Sequence, residues 1–225
     1  MSESSANEPA RCASAPCLLD SQDPVTVRPD QVLINGLARS FGLSPHAEDS
    51  AQRLRDLGRL FHQRRVAADC ALEQHRRPWA NVYLLQHGVM RLFREAPSGK
   101  HAIHHFFTEG ALIWPVFGRS RTVRNTLCLS AVTACTLWQA EFQVFRDSIR
   151  QSGEGHWARF ALALTEELAE SATVREFQKQ TLSARQRYHL LLQEYPDLVP
   201  RVPDNQLASW LGVVPATFSR LKKGR

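Results

Sequence analysis

The residues of this chain best suited to chemistry form a short basic segment near its C-terminal end, Pro-Ala-Thr-Phe-Ser-Arg-Leu-Lys-Lys from 215 to 223. At helical spacing, Phe218 and Leu221 point to one side. The opposite face carries a small residue, a hydroxyl and two cations, namely Ala216, Ser219, Arg220 and Lys223. Arginine can pair bidentately with guanine in a major groove, and lysine can reach a phosphate. The segment therefore predicts a helix that contacts DNA.

A second short helix is predicted just before this one. Leu207, Ala208 and Leu211 give it an apolar face, Gly212 can end it in a left-handed conformation, and Pro215 is placed to open the next helix. From 183 to 225 there are seven Arg or Lys residues against three Asp or Glu, a local net charge of +4. A basic helix-turn-helix is typical of nucleic-acid binding, although two helices around a glycine turn also occur in other helical proteins.

Four segments together resemble the C-terminal winged-helix domain of the Crp/Fnr family of bacterial transcription regulators. They are Arg187-Tyr-His-Leu-Leu-Leu-Gln-Glu-Tyr-Pro196, Arg201-Val-Pro203, Leu207-Ala-Ser-Trp-Leu-Gly212 and Thr217-Phe-Ser-Arg220. The resemblance implies DNA contact by a set of residues in and around the last helix: Ala216, Thr217, Ser219, Arg220, Lys222 and Lys223. It also implies an α+β chain in which an N-terminal, cyclic-nucleotide-binding-domain-like β-roll and a long dimerisation helix precede a winged helix-turn-helix.

Two departures from the family pattern lie in the last helix. Where the Fnr-like branch reads bases with a glutamate, this chain has Ala216, which offers only a methyl contact. Before Pro215, where a capping serine or threonine is usual, it has Val214, so the isolated helix should lose on the order of 1 kcal/mol. The operator sequence therefore stays open.

Length, composition and charge limit the class of protein that the chain can belong to. The chain has 225 residues, 43% hydrophobic content and a net charge of +6. It contains no apolar run of the roughly 18 residues that a membrane span needs, nor a basic-then-apolar signal segment, so a cytoplasmic protein without membrane contact is expected. Four parts are predicted: a disordered or loosely docked tail (1–30), a β-roll with flanking helices (31–150), a dimerisation helix (151–181) and the helix-turn-helix domain (182–225).

Residues 64–141 show short alternating strands broken by turns. Examples are Val82–Leu85, Val89–Phe93 and Ala102–Phe107, with Gly88 at a turn. By alignment with cyclic-nucleotide binders, the glycine and glutamate of the phosphate cassette become Trp114 and Pro115, and its arginine and serine become Asn125 and Thr126. Neither Trp114 nor Pro115 can accept from a ribose hydroxyl, and asparagine brings no charge to the phosphate. Control by cyclic AMP is therefore not expected, and Arg119, Arg121 and Arg124 nearby are read as a solvated loop.

No cofactor or metal is predicted; the alternatives are an iron–sulfur cluster and a metal or haem site. An iron–sulfur cluster of the Fnr type needs more closely spaced N-terminal cysteines than Cys12 and Cys17 supply. A metal or haem could use the histidines of one strand, where alternation puts His101 and His105 on one face with Ile103 and Phe107, and His104 on the other with Ala102 and Phe106. The cysteines are expected to be mostly free thiols.

The stretch 156–180 predicts a long helix with a narrow apolar seam of coiled-coil spacing. The seam is formed by Trp157, Ala161, Leu164, Leu168 and Ser171. Either it pairs with its twin in a homodimer, as the resemblance implies, or it packs on its own β-roll. A two-fold dimer predicts a palindromic operator with half-sites about 34–36 Å apart.

No catalytic motif is present, so an enzyme is not expected. The predicted function is a sequence-specific DNA-binding transcription regulator whose partners are double-stranded DNA, a second copy of the chain and, by resemblance, RNA polymerase. The alternative is an effector-binding or adaptor protein of the same fold that has lost specific DNA recognition. The sequence does not distinguish an activator from a repressor, and it leaves the effector of the β-roll unknown.

Overall fold

The computed structural model describes residues 30–74, 77–96, 98–115 and 127–224. Residues 1–29 of the predicted tail, the aligned positions Asn125 and Thr126, and Arg119, Arg121 and Arg124 lie outside these ranges. The helices are α1 (Gln31–Phe41), α2 (Glu48–Gly58), α3 (Phe142–Gln151), α4 (Glu154–Thr181), α5 (Ala184–Glu194), α6 (Asp204–Leu211) and α7 (Pro215–Lys223). The strands are β1 (His62–Val66), β2 (Ala71–Glu73), β3 (Asn81–His87), β4 (Met90–Glu95), β5 (His101–Phe107), β6 (Leu112–Ile113), β7 (Leu127–Ala131) and β8 (Cys135–Glu141).

The strands form the predicted β-roll from two antiparallel sheets. One sheet has the order β1-β8-β3-β6 and the other β2-β7-β4-β5. Apolar side chains of both sheets fill the space between them, including Tyr83, Leu85, Met90 and Leu137. Between β3 and β4 the chain turns at Gly88, whose φ is 113° and whose missing Cβ would lie 2.5 Å from Cys135 Sγ. Only glycine fits this turn, since a side chain would meet both strain and a clash.

Strand β5 departs from the alternation predicted for its histidines. A bulge shifts its register with β4, so that Leu92 pairs with His105 but Phe93 pairs with Ile103. The extra residue reverses which side the following residues face. Ile103 therefore packs in one apolar cluster with Phe106, whereas Phe107 packs inside the roll. The predicted grouping of Ile103 with Phe107 on one face is wrong for this reason.

The long helix α4 matches the predicted one, but its apolar seam faces its own subunit. Trp157 and Leu164 are 9% and 8% exposed and pack in a cluster with residues of α1, α3 and the roll. Ala161, Leu168 and Ser171 are half-buried. The prediction that Trp157 and Leu164 lie in a dimer seam is therefore wrong. Both side chains pack in one buried cluster with Trp114, Phe142 and Phe145 of their own subunit, where they exclude water from these aromatic rings.

Helices α5, α6 and α7 form what we call the C-terminal helical domain. Ser183 caps α5 in a reciprocal capping box with Gln186, which satisfies backbone donors that the first turn leaves open. Between residues 183 and 224, the structure describes no strand. The helix-turn-helix is thus confirmed, whereas the described residues do not include the wing that the resemblance implied.

Among the described cysteines, Cys128 and Cys135 are buried. Cys70 is disulfide-bonded, so the expectation of free thiols is wrong for this residue. Cys12 and Cys17 lie outside the described residues. No helix in the described part of the chain is both long enough and apolar enough to cross a membrane.

Candidate nucleic-acid interface

Helix α7 has one buried and one exposed face, as its sequence predicts. Phe218 is 1% exposed and makes an edge contact with Tyr188, with ring centroids 5.5 Å apart. On the other side, Ala216, Ser219, Arg220 and Lys223 are exposed, and Thr217 is half-buried. Burial of Phe218 fixes the rotation of the helix, because turning it would expose the ring to water. The four outward residues therefore form a continuous polar surface.

The guanidinium of Arg220 lies along α7 with only long contacts. Its Nε donates to the carbonyl oxygen of Ala216 and its Nη2 to Thr217 Oγ1, both at 3.4 Å. Such contacts are near the limit of hydrogen bonding and cost little to exchange for others. The side chain can consequently extend to an acceptor outside the protein.

The two lysines of α7 differ in their surroundings. Lys222 Nζ donates to both carboxylate oxygens of Asp204 at 2.9 Å, tying the end of α7 to the start of α6. This pair is about half exposed, so it contributes little stability and can open. Lys223 is exposed on the same side as Arg220. Lys223 is thus the better placed of the two to meet a phosphate.

Tight local geometry holds α7 against α6. Gly212 ends α6 with φ 69° and ψ 35°, and its N–H donates to the carbonyls of Ala208 and Ser209. Val214 provides no side-chain cap, and Pro215 occupies the first helical position. These features confirm the turn predicted at Gly212, because a left-handed residue followed by proline allows the chain to start a new helix at once.

The C-terminal helical domain rests on the β-roll of its own chain through α6. Ser209 Oγ donates to the carbonyl oxygen of His101 at 2.9 Å, and Trp210 packs edge-on against Phe106 of β5. Arg201 forms two hydrogen bonds with Glu109, of 3.0 and 2.5 Å. No pattern in the sequence indicates the Arg201–Glu109 pair, because its partners are 92 residues apart.

Of the positions aligned with the cyclic-nucleotide cassette, the structure describes those of Trp114 and Pro115. Trp114 is 6% exposed, and its ring lies among those of Phe142, Trp157 and Phe160. The neighbouring Pro115 is also buried. Trp114 is therefore a core residue, and its indole N–H can only donate a hydrogen bond.

A cavity of about 590 Å³ lies between β5, β6 and α4. His105 lines this cavity, and its Nδ1 lies 3.2 Å from Nη1 of Arg175. Burial, followed by the positive charge of Arg175, lowers the pKa of His105 to about 4. The imidazole is consequently neutral at pH 7. Within the described ranges, no group of three or more His, Cys, Asp or Glu side chains is arranged to hold a metal ion.

Comparison with known proteins supports the fold. No protein-family model matches the chain, and no curated protein matches it either. Several solved structures match the chain in fold. FixK2 from Bradyrhizobium japonicum superposes with a TM-score of 0.63 at 17% identity, covering 73% of this chain and 83% of that one. A protein from Eubacterium rectale described as a transcriptional regulator of the crp/fnr family gives 0.61 at 12% identity, covering 76% and 81%.

A third neighbour is CLP from Xanthomonas campestris, described as a c-di-GMP responsive global regulator. It gives a TM-score of 0.59 at 17% identity and covers 77% of this chain and 89% of that one. The Eubacterium rectale protein and CLP are both described as regulators. The chain therefore has the Crp/Fnr fold, in which a cyclic-nucleotide-binding-type β-roll precedes a helix-turn-helix.

Proposed function

We propose that this protein is a sequence-specific DNA-binding transcription regulator that binds a palindromic operator as a homodimer. The observation that carries the proposal is the outward face of α7, where Ser219, Arg220 and Lys223 are exposed while Phe218 anchors the helix from behind. In helix-turn-helix proteins the second helix enters the major groove and reads base edges. Arg220 is the base-reading residue in this proposal, and Lys223 contacts phosphate.

The homodimer forms through the side of α4 that faces away from its own β-roll. Three large apolar side chains are exposed on this helix: Leu162 (58%), Val174 (46%) and Phe177 (64%). Small residues are also exposed on α4, Ala158 before Leu162 and Ala169 and Ala172 between Leu162 and Val174, so a second helix can approach closely. Exposed apolar surface of this kind on a long helix favours pairing with a partner helix. A two-fold axis along α4 would place both copies of α7 on one side of a duplex.

The regulator is not controlled by cyclic AMP in this proposal. Trp114 fills the position that the family's nucleotide binders leave to glycine, and it is held by three aromatic neighbours. Moving it would expose an indole and open a void in the core, which is costly. At this position a nucleotide therefore lacks the acceptor that would hold its ribose hydroxyl.

The proposal is tested by selecting bound fragments from a genomic library and titrating the recovered operator by fluorescence anisotropy. Arg220→Ala is expected to cost about 1–3 kcal/mol in binding and to relax the base preference of one position in each half-site. Arg53→Ala is the matched control, since Arg53 is exposed on α2 far along the chain. Addition of cyclic AMP is expected to leave the Kd unchanged.

Two results would count against the proposal. If no fragment is enriched, the alternative of an adaptor without DNA recognition gains support. If Arg220→Ala and Arg53→Ala bind equally well and with the same preference, α7 is not the reading helix.

A further inference from the structure

Arg187 on α5 makes contacts that its place in the sequence does not explain. Its Nε donates to the carbonyl oxygen of Leu211 at 3.1 Å. Its Nη1 donates to the carbonyl oxygens of Lys179 and Leu182 at 3.2 and 2.7 Å. One guanidinium thus joins the last turn of α6 to the end of α4. All three acceptors are backbone atoms.

The acceptors lie where helices need donors. The last four carbonyls of an α-helix have no partner within the helix, and they carry the negative end of its dipole. Lys179 lies in the last turn of α4, Leu182 is its C-cap, and Leu211 is the last residue of α6. Arg187 therefore meets two negative helix ends at once, which only a planar cation with several donors can do.

A second contact brings α4 to the same place. The turn glycine Gly212 lies beside the side chain of Lys179, since a Cβ at Gly212 would be 3.5 Å from Lys179 Cε. The end of α4 thus touches the turn between α6 and α7. The direction of α7 relative to α4 depends on the contacts at this junction.

We propose that Arg187 is a positioning residue that sets the angle between α4 and α7 and thereby the half-site spacing that the dimer accepts. The inference rests on the proposed function, in which α4 lies along the dimer axis and α7 enters the groove. A fixed angle holds the two copies of α7 one helical turn of DNA apart. Arg187 does so without touching DNA.

The test uses the full-length protein and a set of synthetic duplexes with two half-sites. The centre-to-centre spacing of the half-sites is about 10 base pairs in one duplex and is shorter or longer by single base pairs in the others. The wild-type protein is expected to bind most tightly at one spacing and much more weakly when the spacing changes by a few base pairs. Arg187→Gln is expected to bind the optimal duplex about tenfold more weakly, as for the loss of one charge-assisted hydrogen bond, and to show a flatter dependence on spacing. Its affinity for a single half-site should match that of wild type.

Two further variants complete the design. Arg185→Gln removes the same charge from an exposed position of the same helix and is expected to keep the wild-type optimum. Arg187→Lys keeps the charge, but its single nitrogen cannot serve both helix ends, so its dependence on spacing should be as flat as that of Arg187→Gln. A sharp, unshifted optimum in both Arg187 variants would overturn the inference.

A measurement without DNA separates this inference from the proposed function. In the free protein, Arg187→Gln is expected to speed amide hydrogen exchange in the turn between α6 and α7 relative to Arg185→Gln. If wild type binds none of the duplexes but exchange is faster, the proposed function fails and the junction role stands. If exchange is the same in both variants, Arg187 does not hold the junction.

Discussion

Glu109 is the residue through which the β-roll holds the C-terminal helical domain electrostatically. It accepts two hydrogen bonds from Arg201 and one, of 2.9 Å, from the N–H of Gly88. Burial raises the pKa of this carboxyl, but the hydrogen bonds from Arg201 and Gly88 outweigh it and lower the pKa to about 2. The carboxylate consequently stays charged at pH 7 and ties the domain to the turn at Gly88.

Replacing Glu109 by glutamine should weaken this link and its dependence on pH. A carboxyl whose folded pKa is depressed stabilises the fold above its unfolded pKa, and the stabilisation is lost as pH falls from about 4.5 to about 2. Because the side chain is 36% exposed, we expect a loss of only about 1 kcal/mol at pH 7. Urea unfolding of both proteins at pH 7 and pH 3 measures the difference.

The control is Asp56→Asn, which removes a carboxylate from an exposed pair with Arg59. It should change the free energy of unfolding little, since exposed pairs contribute little. If Glu109→Gln is as stable as wild type at pH 7, the pair with Arg201 does not hold the domains together.

At the scale of elements, α7 begins without a side-chain cap. Val214 is 61% exposed and leaves the N–H of Ala216 without a side-chain acceptor. Val214→Ser should raise the free energy of unfolding by about 0.5–1 kcal/mol, because a serine oxygen can accept from the first turn. Urea titration checks this. Val144→Ser makes the same exchange inside α3, where no cap can form, and should bring no gain; equal effects at both sites would contradict the explanation.

Elements with strong local signals could be predicted from the sequence. The turn at Gly212 and the inward Phe218 follow from residue type and helical spacing alone. Strand β5 could not be predicted in detail, because its bulge arises from pairing with β4 and leaves no mark in the alternation of His101 to Phe107. The face that α4 buries was also ambiguous, since an apolar stripe fits a partner helix and the β-roll equally well.

The contacts that position α7 were beyond sequence reasoning. Arg187 and Arg201 lie in segments that resemble the family, but their acceptors on Leu211 and Glu109 lie 24 and 92 residues away. Such pairs depend on how helices and strands assemble, which spacing along the chain does not encode. The exposed residues of α7 were predictable because they need only one helix.

At the scale of the whole molecule, the proposed dimer depends on the exposed apolar side of α4. Phe177→Asp should shift the protein toward monomer, because it places a charge where two helices would meet. Sedimentation velocity across a dilution series measures the association. The subunit itself should stay folded, since Phe177 is 64% exposed and supports no core.

Val144→Asp provides the matched control, because Val144 is 47% exposed on α3 rather than on α4. It should leave the association unchanged. A dimer of undiminished affinity in the Phe177 variant would show that the subunits do not pair through this face of α4.

The central claim is that two copies of α7 enter successive major grooves on one side of a duplex. Guanine methylation protection on the selected operator tests it most directly, since it reports contact in the major groove. We expect two protected patches related by two-fold symmetry and separated by about 10 base pairs, both lost in Arg220→Ala. A single protected patch, or the same protection with Arg220→Ala as with wild type, would contradict the account.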